Sequence, residues 1–485
     1  MADHDQSLSL QELPPHLIIE ILNSNRLSGT DLAFLEQSCK TFGGRSIHGL
    51  FPPNFRSMVD FAAFQLCSLN PLFASLPSNA SNELFNRCGA NWKRVLRFLQ
   101  SIKQSSNMAE TSSGNMQITT GRYHTLLIKD SSVYCCGFNP YGVLAQGHGI
   151  PFCNALTQIN FPISSIKVSH ISASHNHAAF VMKSREVFTC GSNSYSCCGH
   201  GEEVGQSIFR PKLVEALKEV PCKQVATGGS FTLFLTEKGQ VYTCGINTHG
   251  QLGHGDTVAE PIPKLVHEED MGCVVQIAAG PSFSLAVTDD GKVYSFGSGS
   301  NFCLGHGQQQ NELQPREIEA FNGVHVVSVA AADEHVVGLD SSGFVYTWGN
   351  GYCGALGHGD ESDMMTPELV HSLKGHLAVQ VCARKRKTLV LVDDGSVYGF
   401  GWMGFGSLGF SDKGSSDKVL KSQVVESLRG HHVCQISTGM YHTVVVTNKG
   451  IVLGFGDNER TQLGHGSLKG FLNPIDIIVP EKDPY

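Results

Sequence analysis

Short apolar runs recur from residue 118 to residue 466 with a regular period. One copy reads VATGGSFTLFLTEKGQVYTCGINTHGQLGHG, residues 225–255, and the other six start at Ile118, Ile171, Ile277, Val329, Val381 and Ile436. Successive starts lie 52 to 55 residues apart. Each copy holds a first apolar run, such as Thr125-Leu126-Leu127-Ile128 or Thr443-Val444-Val445-Val446. A second run follows the form Val-Tyr-x-aromatic/Cys-Gly, as in Val241 to Gly245 and Val345 to Gly349. Between them lies a tight turn carrying Gly and acid, such as Asp289-Asp290-Gly291. Runs of β-branched and aromatic residues joined by such turns predict β-hairpins.

A Gly closes the second run in all seven copies: Gly137, Gly191, Gly245, Gly297, Gly349, Gly401 and Gly456. A Leu-Gly-His-Gly corner comes next, as in Leu252 to Gly255. A further apolar stretch follows, often led by Pro, as in Pro263-Lys264-Leu265-Val266. About four short strands per unit is the content of one propeller blade, and a long regular period marks a repeat architecture. The predicted fold is mainly β: a seven-bladed β-propeller over 118–479, with a small α-helical domain over 11–104. Residues 1–10 and 480–485 read as tails and 105–117 as a polar linker. The first copy has no Pro-led strand before it, and the last is followed by Pro474 to Val479. The C-terminal strand is therefore expected to complete the first blade and close the ring.

Gly-x-x-His-Thr (Gly121 to Thr125, Gly439 to Thr443), Val-Tyr-x-x-Gly and Gly-x-Leu-Gly-His-Gly (Gly250 to Gly255) together resemble the regulator of chromosome condensation (RCC1) family of seven-bladed propellers. The resemblance covers about three quarters of the chain. It implies proteins as partners, histones or other chromatin proteins among them, and a place in the nucleus, with the cytoplasm as an alternative.

The N-terminal segment has a different period. Leu13, Pro14, Leu17, Ile18, Ile21 and Leu22 combine a Leu-Pro start with helical spacing, and Cys39-Lys40-x-Phe42 follows. These residues resemble the F-box, a helical module that docks a Skp1-type adaptor of cullin ubiquitin ligases. A second helix over Asn91 to Lys103 places Trp92, Val95, Leu96, Leu99 and Ile102 on one face. Both stripes also fit a helical cap whose apolar face is simply core. An F-box-like head on such repeats looks like a plant subgroup of the family.

Composition narrows the chemistry. The net charge of −8 argues against a general nucleic-acid binder, and no direct sequence-specific nucleic-acid contact is expected. The polar start MADHDQSLSL predicts no secretory leader, and no apolar run is long enough for a membrane span. The 16 cysteines contain no Cys-x-x-Cys pair. Cys136, Cys190 and Cys244 share one slot with Phe296, Trp348, Phe400 and Phe455, so they read as buried core thiols. The corner residues His200, His254, His306, His358 and His465 sit one per copy, with Gln146 and Phe410 as equivalents. They read as structural histidines bonding local backbone, as do His124, His177, His335 and His442, whose slot holds Phe231, Phe283 and Lys387 elsewhere. Gly349-x-Gly351-x-x-Gly354 and Gly404-x-Gly406-x-x-Gly409 match a dinucleotide-binding glycine pattern, but neither opens a helix. No catalytic set, metal site or cofactor site is predicted.

The sixth copy departs most. It places Arg384, Lys385, Arg386 and Lys387 where the first has Gly121-Arg122-Tyr123-His124, and its next loop carries Trp402, Met403 and Phe405. The intervening hairpin returns both segments to one end of the blade. Four cations beside Trp, Met and Phe would suit an acidic partner. Three tryptophans are too few for the family's ultraviolet-B receptor pattern. No repeat is long enough to hold the inserted wedge of the family's exchange factor. The expected function is a non-enzymatic interaction scaffold in chromatin-linked signalling. A ubiquitin-ligase substrate receptor is the first alternative, and a nucleotide exchange factor for a small GTPase the second.

Overall fold

The computed structural model describes residues 15–23, 27–38, 55–105, 109–111, 114–162, 167–201, 206–266, 271–410 and 418–480. The chain divides into two compact units, Met1–Lys103 and Gln104–Tyr485.

In the first unit the described helices are α1 (Pro15–Leu22), α2 (Gly29–Ser38), α3 (Met58–Ser68), α4 (Pro71–Ser75), α5 (Ser78–Arg87) and α6 (Trp92–Ser105). The side chain of Ser57 caps α3 by accepting the Asp60 N–H. Val95, Leu96, Leu99 and Ile102 of α6 are buried, as the helical spacing predicts, while Trp92 is half-buried and Phe98, outside the predicted stripe, is also buried. Lys93 is buried too, its charge held 2.8 Å from Glu36 and 3.7 Å from Asp60.

The second unit is a ring of seven antiparallel sheets. Blade one spans 114–158, two 168–213, three 222–265, four 274–317, five 326–369, six 378–424 and seven 433–476. Within each blade the four strands pair in sequence order. The closing Gly explains one shared distortion. All seven have φ between 102° and 113°, a region that side chains avoid. A Cβ on Gly349 would lie 2.7 Å from the Glu334 carbonyl in the facing turn. At each of these glycines the register between the third and fourth strands shifts.

Blades lock together through side chains that the sequence repeats. The slot shared by Cys and aromatic residues packs on the corner of the preceding blade: Phe296 against Gly253, Phe400 against Gly357, Phe455 against Gly409 and Cys136 against Gly464. Trp348 donates its indole N–H to Cys303 O at 2.9 Å. Cys136, Cys190 and Cys244 are fully buried, and burial pushes each thiol up, so they are inert as expected.

A second lock is a belt of glutamines on the first strands. Gln276 accepts the Val329 N–H and donates to the Val329 carbonyl, both at 2.9 Å, and Gln380 treats Ile436 likewise. Gln224 does the same to Ile277. Gln117 accepts from Ile171 and Gln435 from Ile118. His170 and Ser328 stand in this column in blades two and five.

Two expectations need correction. The strand Phe471–Asp476 pairs within blade seven, and blade one has its own fourth strand, Phe152–Gln158. The ring closes instead through side chains, Gln435 on Ile118, His442 on Thr125 at 3.0 Å and Thr120 on Ser437 at 2.8 Å, and through a backbone bond from Gly466 N–H to Asn154 O at 2.9 Å. The stretch 105–117 also contains structure, since Ala109–Thr111 adds a fifth strand beside Gly114–Thr120.

Candidate interaction face of the propeller

The histidines come first, because they set what the turns can do. Each of four corner histidines meets a hydroxyl on the third strand of its own blade: His200 with Thr189, His254 with Thr243, His306 with Ser295 and His358 with Thr347, all at 2.9 to 3.0 Å. Each hydroxyl donates its proton to a corner carbonyl, so it accepts from the imidazole Nε2–H. The turn histidines reach further. His177 bonds Thr232, His335 bonds Thr388 and His442 bonds Thr125, each in the next blade. The expected backbone partner is thus a side-chain hydroxyl, and for the turn set it lies across a seam. His124 faces the corresponding position of blade two, which is Ala178, and its Nε2 has no hydrogen bond. Burial holds His124 down at about 3, with the Arg384 charge adding to the effect.

Blade six rebuilds this turn. In four blades the residue three before the ring is Gly, and a Cβ at Gly121, Gly228, Gly280 or Gly439 would strike that ring. Ser174 and Ala332 hold this position before His177 and His335, and in blade six Arg384 holds it before Lys387, where the ladder gains one pair, Arg384 with Lys387. The four cations then part company. Lys387 is fully buried and donates to the His442 carbonyl at 3.3 Å. Burial holds its amine well below the usual lysine range. It is therefore not part of a surface, contrary to expectation, because its slot points into the seam. Arg384 points into the central channel, its Nε 3.9 Å from Asp333 of blade five.

Lys385 and Arg386 remain at the surface, both half-buried. Lys385 Nζ lies 4.2 Å from the ring centroids of both Trp402 and Tyr441. Arg386 stacks over Tyr352 at 4.6 Å and pairs with Glu334 at 3.3 Å. Phe405 is 56% exposed and held at φ 59°, a strained conformation for a bulky side chain. Its ring lies 5.8 Å from Trp402 and 5.5 Å from Tyr441. Met403 is half-buried, and its carbonyl takes the Gly406 N–H. Tyr441 in turn stacks on Tyr123, which carries Arg122 at 5.1 Å. The result is a belt of alternating rings and cations across blades five, six, seven and one. Tyr352, Tyr441, Tyr123 and Glu334 were not singled out from sequence. Lining up the turn columns of adjacent copies was the signal that could find them.

In the helical unit, Ile18 and Leu22 are buried and so unavailable to an adaptor, while Ile21 is 40% and Phe34 66% exposed. Leu13 and Pro14, and the side chain of Leu17, lie outside the described residues. Among the described residues no helix is long and apolar enough to cross a membrane, and no group of three or more His, Cys, Asp or Glu could hold a metal ion.

The repeat model "Regulator of chromosome condensation (RCC1) repeat" matches residues 186–235, 238–287, 290–339, 342–391 and 394–446. The ultraviolet-B receptor UVR8 of Arabidopsis thaliana is 29% identical over 350 residues, covering 72% of this chain and 78% of that protein. The E3 ubiquitin-protein ligase HERC2 of Mus musculus is 38% identical over 288 residues, or 58% of this chain, which spans only 6% of that protein. Among solved structures, Prp20p of Saccharomyces cerevisiae matches with TM-score 0.65 at 18% identity, covering 78% of this chain and 89% of that one. Human WBSCR16 matches with TM-score 0.63 at 24% identity, covering 72% and 94%. Seven antiparallel blades, their shared bulge glycines and five matched repeats lead to one conclusion: this chain belongs to the RCC1 repeat family.

Proposed function

We propose that this chain is a non-enzymatic protein-interaction scaffold that takes an acidic segment of a partner on the loop face of blades five, six, seven and one. The observation that carries this reading is Lys385 seated between Trp402 and Tyr441, beside the exposed ring of Phe405. Rings that hold a cation in place lower the entropy it loses on meeting an anion, and aromatics with Arg are enriched at interface cores. A chain of net charge −8 that gathers Arg122, Lys385 and Arg386 here has a local field opposite to its global one. The test is affinity purification with the intact chain and with Lys385→Glu/Arg386→Glu. Acidic partners should be lost while circular dichroism is unchanged. An identical partner set would sink the reading.

A nuclear, chromatin-linked role is the finer form of this proposal. Its support is the yeast relative, whose structure is described with binding to Gsp1p and histones. Histones are basic, so on this face the partner would be an acidic chromatin protein. The ligase-receptor reading rests on exposed Ile21 and Phe34. It requires that a Skp1-type adaptor be pulled down by the intact chain and lost on Ile21→Asp. No capture by the intact chain ends it.

A further inference from the structure

Ala173, Ala226, Ala279, Ala331 and Ala383 lie at or next to the ends of five first strands, and these small residues line a cavity of about 230 Å³ in the channel. Thr120, Ser172, Thr227, Ser437 and Thr438 add hydroxyls, and Arg384 is the one charged side chain in the lining among the described residues. Its guanidinium is always protonated, yet its Nε makes no hydrogen bond. Asp333 at 3.9 Å is beyond hydrogen-bond distance, and Asp333 Oδ1 is itself unpartnered. His170 Nδ1 and His175 Nε2 are likewise buried without a partner. His175, Asp333 and Arg384 come from blades two, five and six, and these three converge. His175 feels Arg384, Asp333 and Arg122 together, after burial, which alone is the largest cause of its fall to about 4. A buried charge and several buried polar atoms without partners are costly unless something satisfies them.

We propose that the channel mouth binds a phosphoryl group, with Arg384 as its principal donor and Asp333 as the acceptor of the phosphate's own proton. The chemistry follows from the pairing. Arg384 offers a fork of N–H donors suited to a tetrahedral oxyanion. A carboxylate beside an anion normally repels it. A hydrogen phosphate, however, carries an O–H that Asp333 can accept, while sulfate at neutral pH carries none. The site should therefore separate two anions of nearly equal size. It is independent of the docking reading, which uses Lys385 and Arg386 on the outer face.

The experiment is isothermal titration of the full chain with inorganic phosphate, with sulfate and with O-phosphoserine, at constant ionic strength and pH 7. Saturable one-to-one phosphate binding, about tenfold or more tighter than sulfate, is expected. Arg384→Gln should weaken phosphate by about tenfold or more, and Asp333→Asn should bring phosphate and sulfate close together. Arg386→Gln should change neither, which separates this site from the docking face. At pH 7 the phosphomonoester of O-phosphoserine is mostly the dianion and has no O–H for Asp333, so it should bind more weakly than inorganic phosphate, and tighter binding of O-phosphoserine overturns the role given to Asp333. If Arg384→Gln does not fold, the phosphate-to-sulfate ratio of Asp333→Asn decides. No saturable binding, equal binding of sulfate by the unaltered chain, or indifference to both substitutions overturns the proposal.

Discussion

Blades three and six are the same scaffold with different freedoms. In blade three, Thr243 takes His254, Asn247 accepts the Leu252 N–H at 2.9 Å, and Gly228 makes room for the ring of Phe231. In blade six each of these devices is gone. Gly399 and Phe410 replace the Thr–His pair, Met403 stands where Asn247 would, and Arg384 replaces the glycine. What blade six keeps is equally clear. Phe400 fills the slot over Gly357, Gly401 keeps its positive φ of 102°, and Gln380 bridges to Ile436. The difference separates two kinds of repeat residue. Slot, bulge glycine and glutamine hold blades to one another. The Thr–His pair, the loop Asn and the turn glycine brace a single blade, and replacing them together left the sheet standing and freed its loops to carry Lys385, Trp402 and Phe405.

The largest effect tests whether blade six is under the same constraint as blade three. Gly401→Ala places a Cβ against the Arg386 carbonyl, and Gly245→Ala places one 2.5 Å from that of Ser230, both at positive φ. Each should cost about 2–3 kcal/mol in thermal or denaturant unfolding. A much smaller loss at Gly401 would mean that blade six is loosely built and the comparison fails.

Lys387→Met comes next, exchanging a buried amine for an apolar side chain of similar length. It should stabilise the chain at pH 7 by about 1–2 kcal/mol. The sign follows from proton binding. The folded amine sits below its unfolded value, so the unfolded state binds more protons, and stability rises with pH from the depressed value up to the ordinary lysine value of 10.5. The unaltered chain should gain stability between pH 7 and pH 10 relative to the variant. Parallel pH curves would show that Lys387 is not buried as an amine.

The smallest effect repairs a seam. Ala178→Thr offers the orphaned Nε2 of His124 the partner that His177, His335 and His442 already have. About 1 kcal/mol of added stability is expected, read as a raised melting temperature. No gain would mean that the blade one–two seam differs in geometry from the others.

Much of this was legible because it is local. Turn glycines, strand periodicity and the Leu-Gly-His-Gly corner act within a few residues, so the blades could be drawn from the chain alone. The buried slot holding Cys136, Cys190 and Cys244 was equally plain, since Phe or Trp fills it elsewhere. Misreadings occurred where a residue's partner lies one blade away. The turn histidines looked local but bond across 53 to 55 residues, and His442 reaches back 317 residues to Thr125. The Leu/Ile stripe of the head showed a helix without telling core from contact, and Ile18 and Leu22 proved to be core.

The sequence by itself determined the number of blades, their strand content and the family, because a sevenfold repeat states each local rule seven times. Only the tertiary structure decided how blade seven meets blade one, and which cation of Arg384 to Lys387 is exposed. Exposure depends on what the neighbouring blade presents, and that neighbour is set by closing the ring. Four consecutive cations thus became one buried amine, one channel guanidinium and two charges resting on aromatic rings.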